Sequence, residues 1–291
     1  MFAILKLTRW QEFLPWTIPL TLLGGLMAYR FGGAELDYRL IVVLLANSCI
    51  MAYAFMINDI EDSDDDKHDP VRAARNPISS NELSKSSGWI AAIVIGLIGT
   101  LLFATIGTNT LIVGIIMWIL AHLYSWKPVR LKARPIFDIL SHVLMLSALL
   151  FITAHFAYTQ EMALEAWLLL IAVTLISGYG QFYNQVRDYE ADRAAGLHNT
   201  ASFIGKPATT LVSYLSVGIA ILCIAIVILR GAFPIELLGV IAITAPILWL
   251  TSSDKDARGD VATDISGKVQ VNVLRGVNIV LLAWVAYILI S

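Results

Sequence analysis

Two acidic stretches carry most of the chemical information in this chain. One reads Asn58-Asp59-Ile60-Glu61-Asp62-Ser63-Asp64-Asp65-Asp66, the other Asn184-Gln185-Val186-Arg187-Asp188-Tyr189-Glu190-Ala191-Asp192. Both fit N-x-x-x-D-x-x-x-D, and each begins where a long apolar run ends. Carboxylates four residues apart lie on one face of a helix, where they repel one another. A helix C-terminus adds its own partial negative charge. A hard divalent cation with oxygen ligands offsets both. Magnesium favours one or two protein carboxylates and completes its shell with water and phosphate oxygens. Two such helix ends facing each other could hold two ions with a diphosphate between them. The candidate ligands are Asp59, Asp62, Asp66, Asp188 and Asp192. Arg72, Arg75, Lys127, Arg130 and Lys132 are the basic residues fit to neutralise a departing phosphate. Asp64, Asp65 and Asp69 read as a solvated charge run. His68 lacks a second imidazole or thiolate neighbour for a zinc site.

The elements that must position these residues are membrane helices. The chain has 291 residues, 58% hydrophobic and 14% charged, where soluble domains are nearer a quarter charged. Apolar segments suited to crossing a bilayer fall at about 12–29, 39–57, 88–106, 110–125, 136–158, 163–186, 208–229, 233–251 and 272–290. The expected fold is therefore an all-α, single polytopic membrane domain of nine transmembrane helices over residues 1–291. The repeated motif suggests an internal duplication of four-helix units, approximately 12–125 and 136–251. Lys and Arg concentrate at the N-terminus and in the even-numbered connections, leaving Arg30, Arg39 and Arg230 on the other side. The positive-inside rule then predicts a cell-membrane protein with a cytoplasmic N-terminus and acidic loops, its C-terminus opposite. Both acidic motifs end helices that run toward the cytoplasm, so both emerge on one face under a polar cap.

With that placement the residues resemble the UbiA superfamily of intramembrane prenyltransferases. Asn58 to Asp66 is similar to that family's N-D-x-x-D-x-x-x-D motif. Asp188 to Asp192 is similar to its D-x-x-x-D motif, followed here by Arg193-Ala194-Ala195-Gly196. Tyr124-Ser125-Trp126-Lys127-Pro128-Val129-Arg130-Leu131-Lys132 resembles its Y-S-x-x-P-x-R-x-K element. Where the family often reads N-R-P, this chain has Arg75-Asn76-Pro77, and Ser79-Ser80-Asn81 where a glycine is usual. The resemblance covers essentially the whole chain. It implies a UbiA-like bundle in which the five aspartates bind two Mg2+ ions bridging a prenyl diphosphate. It implies diphosphate contacts at Arg72, Lys127, Arg130 and Lys132, near Tyr124, with Asn58 and Asn184 orienting the site. Asp188, Asn58 and Lys127 are the candidate catalytic residues, Asp188 as an aid to proton removal.

The activity so implied is Mg2+-dependent transfer of a polyprenyl group, geranylgeranyl among the candidates, to a lipophilic acceptor within the membrane. Quinone precursors, tetrapyrroles, glycerol ethers and carotenoids are the family's acceptors. The Tyr124–Pro135 stretch looks more like the chlorophyll synthase and lycopene elongase branches than the hydroxybenzoate one. An allylic cation left by diphosphate needs an apolar, water-poor cavity and can use aromatic faces such as Tyr53, Phe55, Tyr179, Phe182 and Tyr183. The alternative is a membrane terpene cyclase that quenches the same cation internally. A cation transporter would place its carboxylates near the midplane; here they lie at helix ends. A net charge of −2 gives no argument for nucleic acid. Cys49 and Cys223 read as packing residues, and His122, His142 and His155 as interhelical hydrogen-bonding groups.

Overall fold

The computed structural model describes residues 2–194, 196–251 and 254–290. Ala195, Ser252 and Ser253, which fall in the second motif's tail and the third polar loop, lie outside the described residues. Among those described, the chain is helical apart from an isolated bridge between Lys255 and Val261. Nine long helices dominate. We label them α1 Trp10–Gly32, α2 Arg39–Asp66, α3 Lys85–Ile106, α4 Thr108–Ser125, and α5 Phe137–Phe156. They continue with α6 Leu164–Arg187, α7 Lys206–Leu229, α8 Leu237–Leu250 and α9 Ile265–Ile290. One π-helical turn, Leu144–Ala148, interrupts α5.

Seven of these helices, all but α1 and α8, are long and apolar enough to cross a membrane. The other two differ from the nine-span expectation for separate reasons. Helix α8 has only 14 residues. Helix α1 is long enough, at 23 residues, but Gln11, Glu12, Thr17, Thr21 and two prolines dilute its apolar character. The surface supports the membrane assignment. Ile90, Leu101, Leu211 and Leu222 are more than half exposed, while Asn47, Thr21 and Thr153 are fully buried. Water would penalise that inversion; lipid rewards it, because polar side chains must find partners inside the bundle. Asn47 does so by donating to Thr21 Oγ1 at 2.9 Å and Leu150 O at 3.2 Å, and by accepting from Thr153 Oγ1 at 2.9 Å. It thereby ties α1, α2 and α5 together. His155 fills the bonding role expected of it, lying 3.3 Å from Gly24 O and 3.1 Å from Glu161 O.

Helix α2 runs well past the apolar stretch that predicted it. Its last residues stay helical through Asp66 because side chains from the following loop take up main-chain groups there. Asn76 Nδ2 donates to Asp59 O at 2.8 Å, and Ser79 Oγ to Ser63 O at 2.8 Å. The acidic motif is thus a helix face and not a loop. The short helix Pro70–Arg75 is capped by Asp69, whose side chain accepts from the Val71 and Arg72 amides.

Helices α1 and α5 pack closely at Gly24. A Cβ there would stand 2.2 Å from Phe151 O. Gly24→Ala must push the two helices apart, costing about 1–3 kcal/mol by overpacking. A lower midpoint of thermal unfolding in detergent is the expected result.

Candidate active site

The first acidic face is held by basic and amide groups that come from three separate segments. Asp59 is fully buried. Its Oδ1 accepts from Arg9 Nη1 at 3.0 Å, and its Oδ2 has no hydrogen-bond partner. Asp62 is bracketed by Lys132, in a close ion pair, and by Arg130 Nη2 at 3.2 Å. Lys132 Nζ also reaches Asn58 Oδ1 at 2.9 Å, which Ser125 Oγ approaches at 3.2 Å. Asp66 accepts from Asn76 Nδ2 at 2.9 Å, so one buried amide spans the main chain at Asp59 and the side chain of Asp66. Burial pulls the Lys132 ammonium below its usual pKa even with Asp62 beside it.

Local backbone explains how two of the arginines get there. Arg9, between the helix Phe2–Thr8 and α1, has φ 52°, and Arg130, before the short helical turn Leu131–Ala133, has φ 46°. Left-handed non-glycine residues are strained and cluster at functional sites. Glu12 helps fix Arg9, accepting from Nε at 2.7 Å. Glu61 fixes the segment after α4, its Oε2 accepting from the Lys127 amide at 3.1 Å.

The second acidic face is built around Arg187. Its guanidinium donates to both oxygens of Asp188, at 2.8 and 3.0 Å, and to Asp256 Oδ2 at 2.6 Å. Asp192 accepts from Asn199 Nδ2 at 2.8 Å. Burial, reinforced by the negative charge of Asp188, lifts the Asp192 carboxyl above the usual carboxylate range. Arg72 and Arg258 oppose that shift, so the first motif's loop and the α8–α9 loop both reach the field of the second motif. Asp138 supplies rigidity beneath it. Fully buried, it accepts from Gln185 Nε2 at 2.7 Å and the Thr200 amide at 2.8 Å.

The predicted residues therefore fall into groups. Asn58, Asp62, Arg130 and Lys132 are in direct contact, and Asp59 and Asp66 are joined through Asn76. Tyr124 lies where the charges of Asp62 and Arg258 act on its hydroxyl, with its ring 6.5 Å from that of His142. Arg72 is exposed and pairs with Asp69 at 3.5 Å. Lys127 is anchored by its amide, with its side chain exposed. Asn184 accepts the Asp188 amide through its main-chain carbonyl at 2.9 Å. Asp64 pairs with Lys67 and Lys85 at the surface, as a solvated charge does. Arg9, Asp256 and Arg258 were not singled out as site residues by the motifs, and Asn76 entered only through Arg75-Asn76-Pro77, without a fixed role.

Among the described residues no three carboxylate, histidine or cysteine groups converge to hold a metal. Each aspartate instead faces a cation or an amide. The donors are nonetheless hard carboxylate oxygens, and a buried one, Asp59 Oδ2, is orphaned. Both features suit a hard divalent ion that takes the place of the basic partners.

A sequence profile of the UbiA prenyltransferase family matches residues 17–264. The chain belongs to the UbiA prenyltransferase family. This is a family of membrane-embedded enzymes that act on isoprenoid substrates. The chain is 29% identical over 182 residues to a lycopene elongase/hydratase of Haloarcula japonica, covering 61% of this chain and 59% of that protein's length. It is 28% identical over 198 residues to a digeranylgeranylglyceryl phosphate synthase of Methanopyrus kandleri, covering 68% of each. In fold it is similar to a UbiA homologue from Archaeoglobus fulgidus solved bound to GPP and Mg2+. The TM-score is 0.71 at 24% identity, with 99% of this chain and 98% of the other covered.

Asn76 offers a direct check on how the first acidic face is held. Asn76→Ala leaves the Asp59 carbonyl and Asp66 carboxylate without their shared donor. The expected cost is about 1–3 kcal/mol, measured by thermal unfolding of the detergent-solubilised protein.

Proposed function

We propose that this UbiA-family enzyme transfers a polyprenyl group from a prenyl diphosphate to a lipophilic acceptor, with Mg2+ as cofactor. The observation that carries this reading is that each acidic helix end is lined with cations, and that a cation from the loop after the first acts on the second. Asp62 is bracketed by Arg130 and Lys132, and Arg72 from the first motif's loop acts on Asp192 of the second. Asp59, Asp62, Asp66, Asp188 and Asp192 would hold the metal, which supplies charge neutralisation for the leaving diphosphate. The Archaeoglobus homologue, solved with GPP and Mg2+, supports a prenyl diphosphate and a divalent metal as the occupants of such a site.

The chain's own groups do the rest. Lys132, Arg130 and Arg72 lie where they can hold phosphate oxygens, with Lys127 on the same connection. Asn58 keeps Lys132 aimed at Asp62. Arg187 orients the Asp188 carboxylate. Tyr124, near enough to Asp62 and Asp138 for their charges to act on its hydroxyl, is the aromatic side chain we assign to stabilising an allylic cation. Asp188 is the carboxylate we assign to proton removal once the acceptor has attacked. The names of the two curated relatives favour transfer to an acceptor over internal cyclisation. The first of them, with the Tyr124–Pro135 stretch, favours a carotenoid acceptor, and the second favours a glycerol ether acceptor and a geranylgeranyl-type donor.

We also infer that α1 and α8 complete a nine-helix transmembrane bundle. At about 1.5 Å per residue, α1 spans roughly 34 Å, enough for a bilayer core. The distribution of Lys and Arg then sets the N-terminus and both acidic motifs on the cytoplasmic side.

Membranes containing the protein, incubated with labelled geranylgeranyl diphosphate, Mg2+ and a panel of polyene, quinone and glyceryl phosphate acceptors, should yield a prenylated product. Asp62→Ala and Asp188→Ala should each lower turnover about 100-fold or more while leaving the protein inserted. Near-normal turnover in both variants removes the assignment, and cyclic hydrocarbon formed without acceptor replaces transfer with cyclisation.

Asp192 gives a second test through pH. A carboxyl whose pKa is raised on folding takes up a proton, so it lowers stability as pH climbs from its unfolded value, about 3.9, through the raised one. Below that window there is no penalty; above it, at neutral pH, the penalty is complete. In EDTA, Asp192→Asn should therefore unfold at a higher temperature than the wild type at pH 7, and the difference should shrink toward zero as the pH falls below about 3.9. Mg2+ should raise the wild-type midpoint more than that of the variant. Equal Mg2+ responses would take Asp192 out of the metal set.

A further inference from the structure

The connection between α8 and α9 carries no recognised motif, yet it is the most heavily braced loop near the second acidic face. Its tip, Asp256 to Asp260, closes on itself. The Asp256 amide donates to Asp260 O at 2.8 Å, and Gly259, at φ 87°, donates to Asp256 O at 3.0 Å. The Asp256 side chain is buried and accepts from the Arg258 amide at 2.9 Å and the Asp260 amide at 3.1 Å. Its other oxygen takes Arg187 Nη1 at 2.6 Å, and Asp260 stands 3.0 Å from the same guanidinium nitrogen. One guanidinium thus grips both the tip and Asp188.

The base of the loop is fixed independently. Tyr183 Oη accepts the Thr263 amide at 2.8 Å. Asp264 accepts from Tyr214 Oη at 2.7 Å and Ser266 Oγ at 2.6 Å, and Tyr179 Oη donates to Ser266 Oγ at 2.6 Å. Gly267 permits this closure, since a Cβ there would lie 2.2 Å from Tyr183 Oη. Gln270 adds a tether by accepting the Ala257 amide at 3.1 Å.

All this bracing serves a tip that carries Arg258. Its guanidinium makes no hydrogen bond or ion pair with another described residue. Arg9, Arg130, Lys132 and Arg187 are each paired with a carboxylate. Arg258 is exposed to solvent, yet it feels the charges of Asp188, Tyr124, Arg187 and Arg9. The latch through Asp256 and Arg187 thus holds an exposed cation beside the second acidic face, within the field of Arg9, the partner of Asp59 in the first. A cation held rigidly beside two other arginines is repelled by them unless an anion joins the group. An arginine presents a planar fork that matches phosphate oxygens.

We infer that Arg258 is a further contact for the diphosphate of the prenyl donor, delivered by a loop that Arg187 latches to Asp188. The inference rests on the prenyl-transfer reading above. It makes the α8–α9 loop part of the binding site, with Arg187 and Asp256 as positioning residues.

Arg258→Gln and Arg258→Lys, purified in detergent with unfolding midpoints matched to wild type, provide the test. The probe is inorganic pyrophosphate with Mg2+, its affinity measured by calorimetry. In parallel, KM and kcat are measured for geranylgeranyl diphosphate and KM for the acceptor. Arg258→Gln should weaken pyrophosphate binding and raise the donor KM about tenfold, with a much smaller effect on kcat. Arg258→Lys should recover part of the loss, and the acceptor KM should not move. Pyrophosphate affinity changed less than threefold overturns the inference, as does a rise confined to the acceptor KM. Asp62→Ala separates the two layers. If it turns over normally, the prenyl-transfer reading fails; if it is inactive while Arg258→Gln binds pyrophosphate like the wild type, only the role of Arg258 fails.

Discussion

Negative charge at the end of an apolar helix is the constraint around which the rest of this molecule is arranged. Asp59 has no solvent exposure, and Asp66 almost none. An isolated carboxylate cannot be buried at tolerable cost, so each one needs a cation, an amide or a metal. Arg9, Asn76 and Lys132 meet that need from before α1, after α2 and after α4. The need also dictates chain topology. Connections on the acidic side must be long and basic enough to fold back over the helix ends, whereas α3 and α4 can be joined on the other side by Gly107 alone.

The same charges tie structure to function. A pocket that already balances its acids with arginines and lysines is primed to exchange partners when an anion arrives with metal. Phosphate oxygens would take over the basic side chains, and the freed carboxylates would take the metal. Tight pairing in the free protein thus keeps the site ordered without filling it. The left-handed Arg9 and Arg130 and the latched Arg187 show that the fold accepts local cost to hold these cations in place. Beneath them, the Asn47 and Asp138 networks join α1, α2, α5 and α6 through polar contacts that lipid cannot supply.

What was legible in the sequence follows from distance along the chain. Spacings of three and four residues put Asp59, Asp62 and Asp66 on one helical face, and that pattern is local. Hydropathy marked the helices because each must cover its own backbone in lipid. It failed at the ends of α2 and α9, where polar residues extend a helix on the strength of side-chain bonds from elsewhere. Asn76 keeps the end of α2 helical, and no window of sequence around Asp59 reveals it. Arg9 was visible as a positive charge before the first helix, but its pairing with Asp59 across 50 positions was not. Asp256 and Arg258 sit in a stretch without motif, and only the Arg187 contact shows that they belong to the second acidic face.

Arg187 also shows why the two motifs are not equivalent despite their shared pattern. In the first, the residue before the central aspartate is Glu61, which pins the Lys127 amide and so the segment bearing Arg130 and Lys132. In the second it is Arg187, which pins the α8–α9 loop instead. Each motif recruits its own covering segment through the residue at that position, acid for one and base for the other. The central aspartate is steadied in both cases, but Asp62 meets cations carried by the covering segment, while Asp188 meets one carried on its own helix. Repeating one acidic pattern with opposite neighbours thus gives the two acidic faces different covering segments.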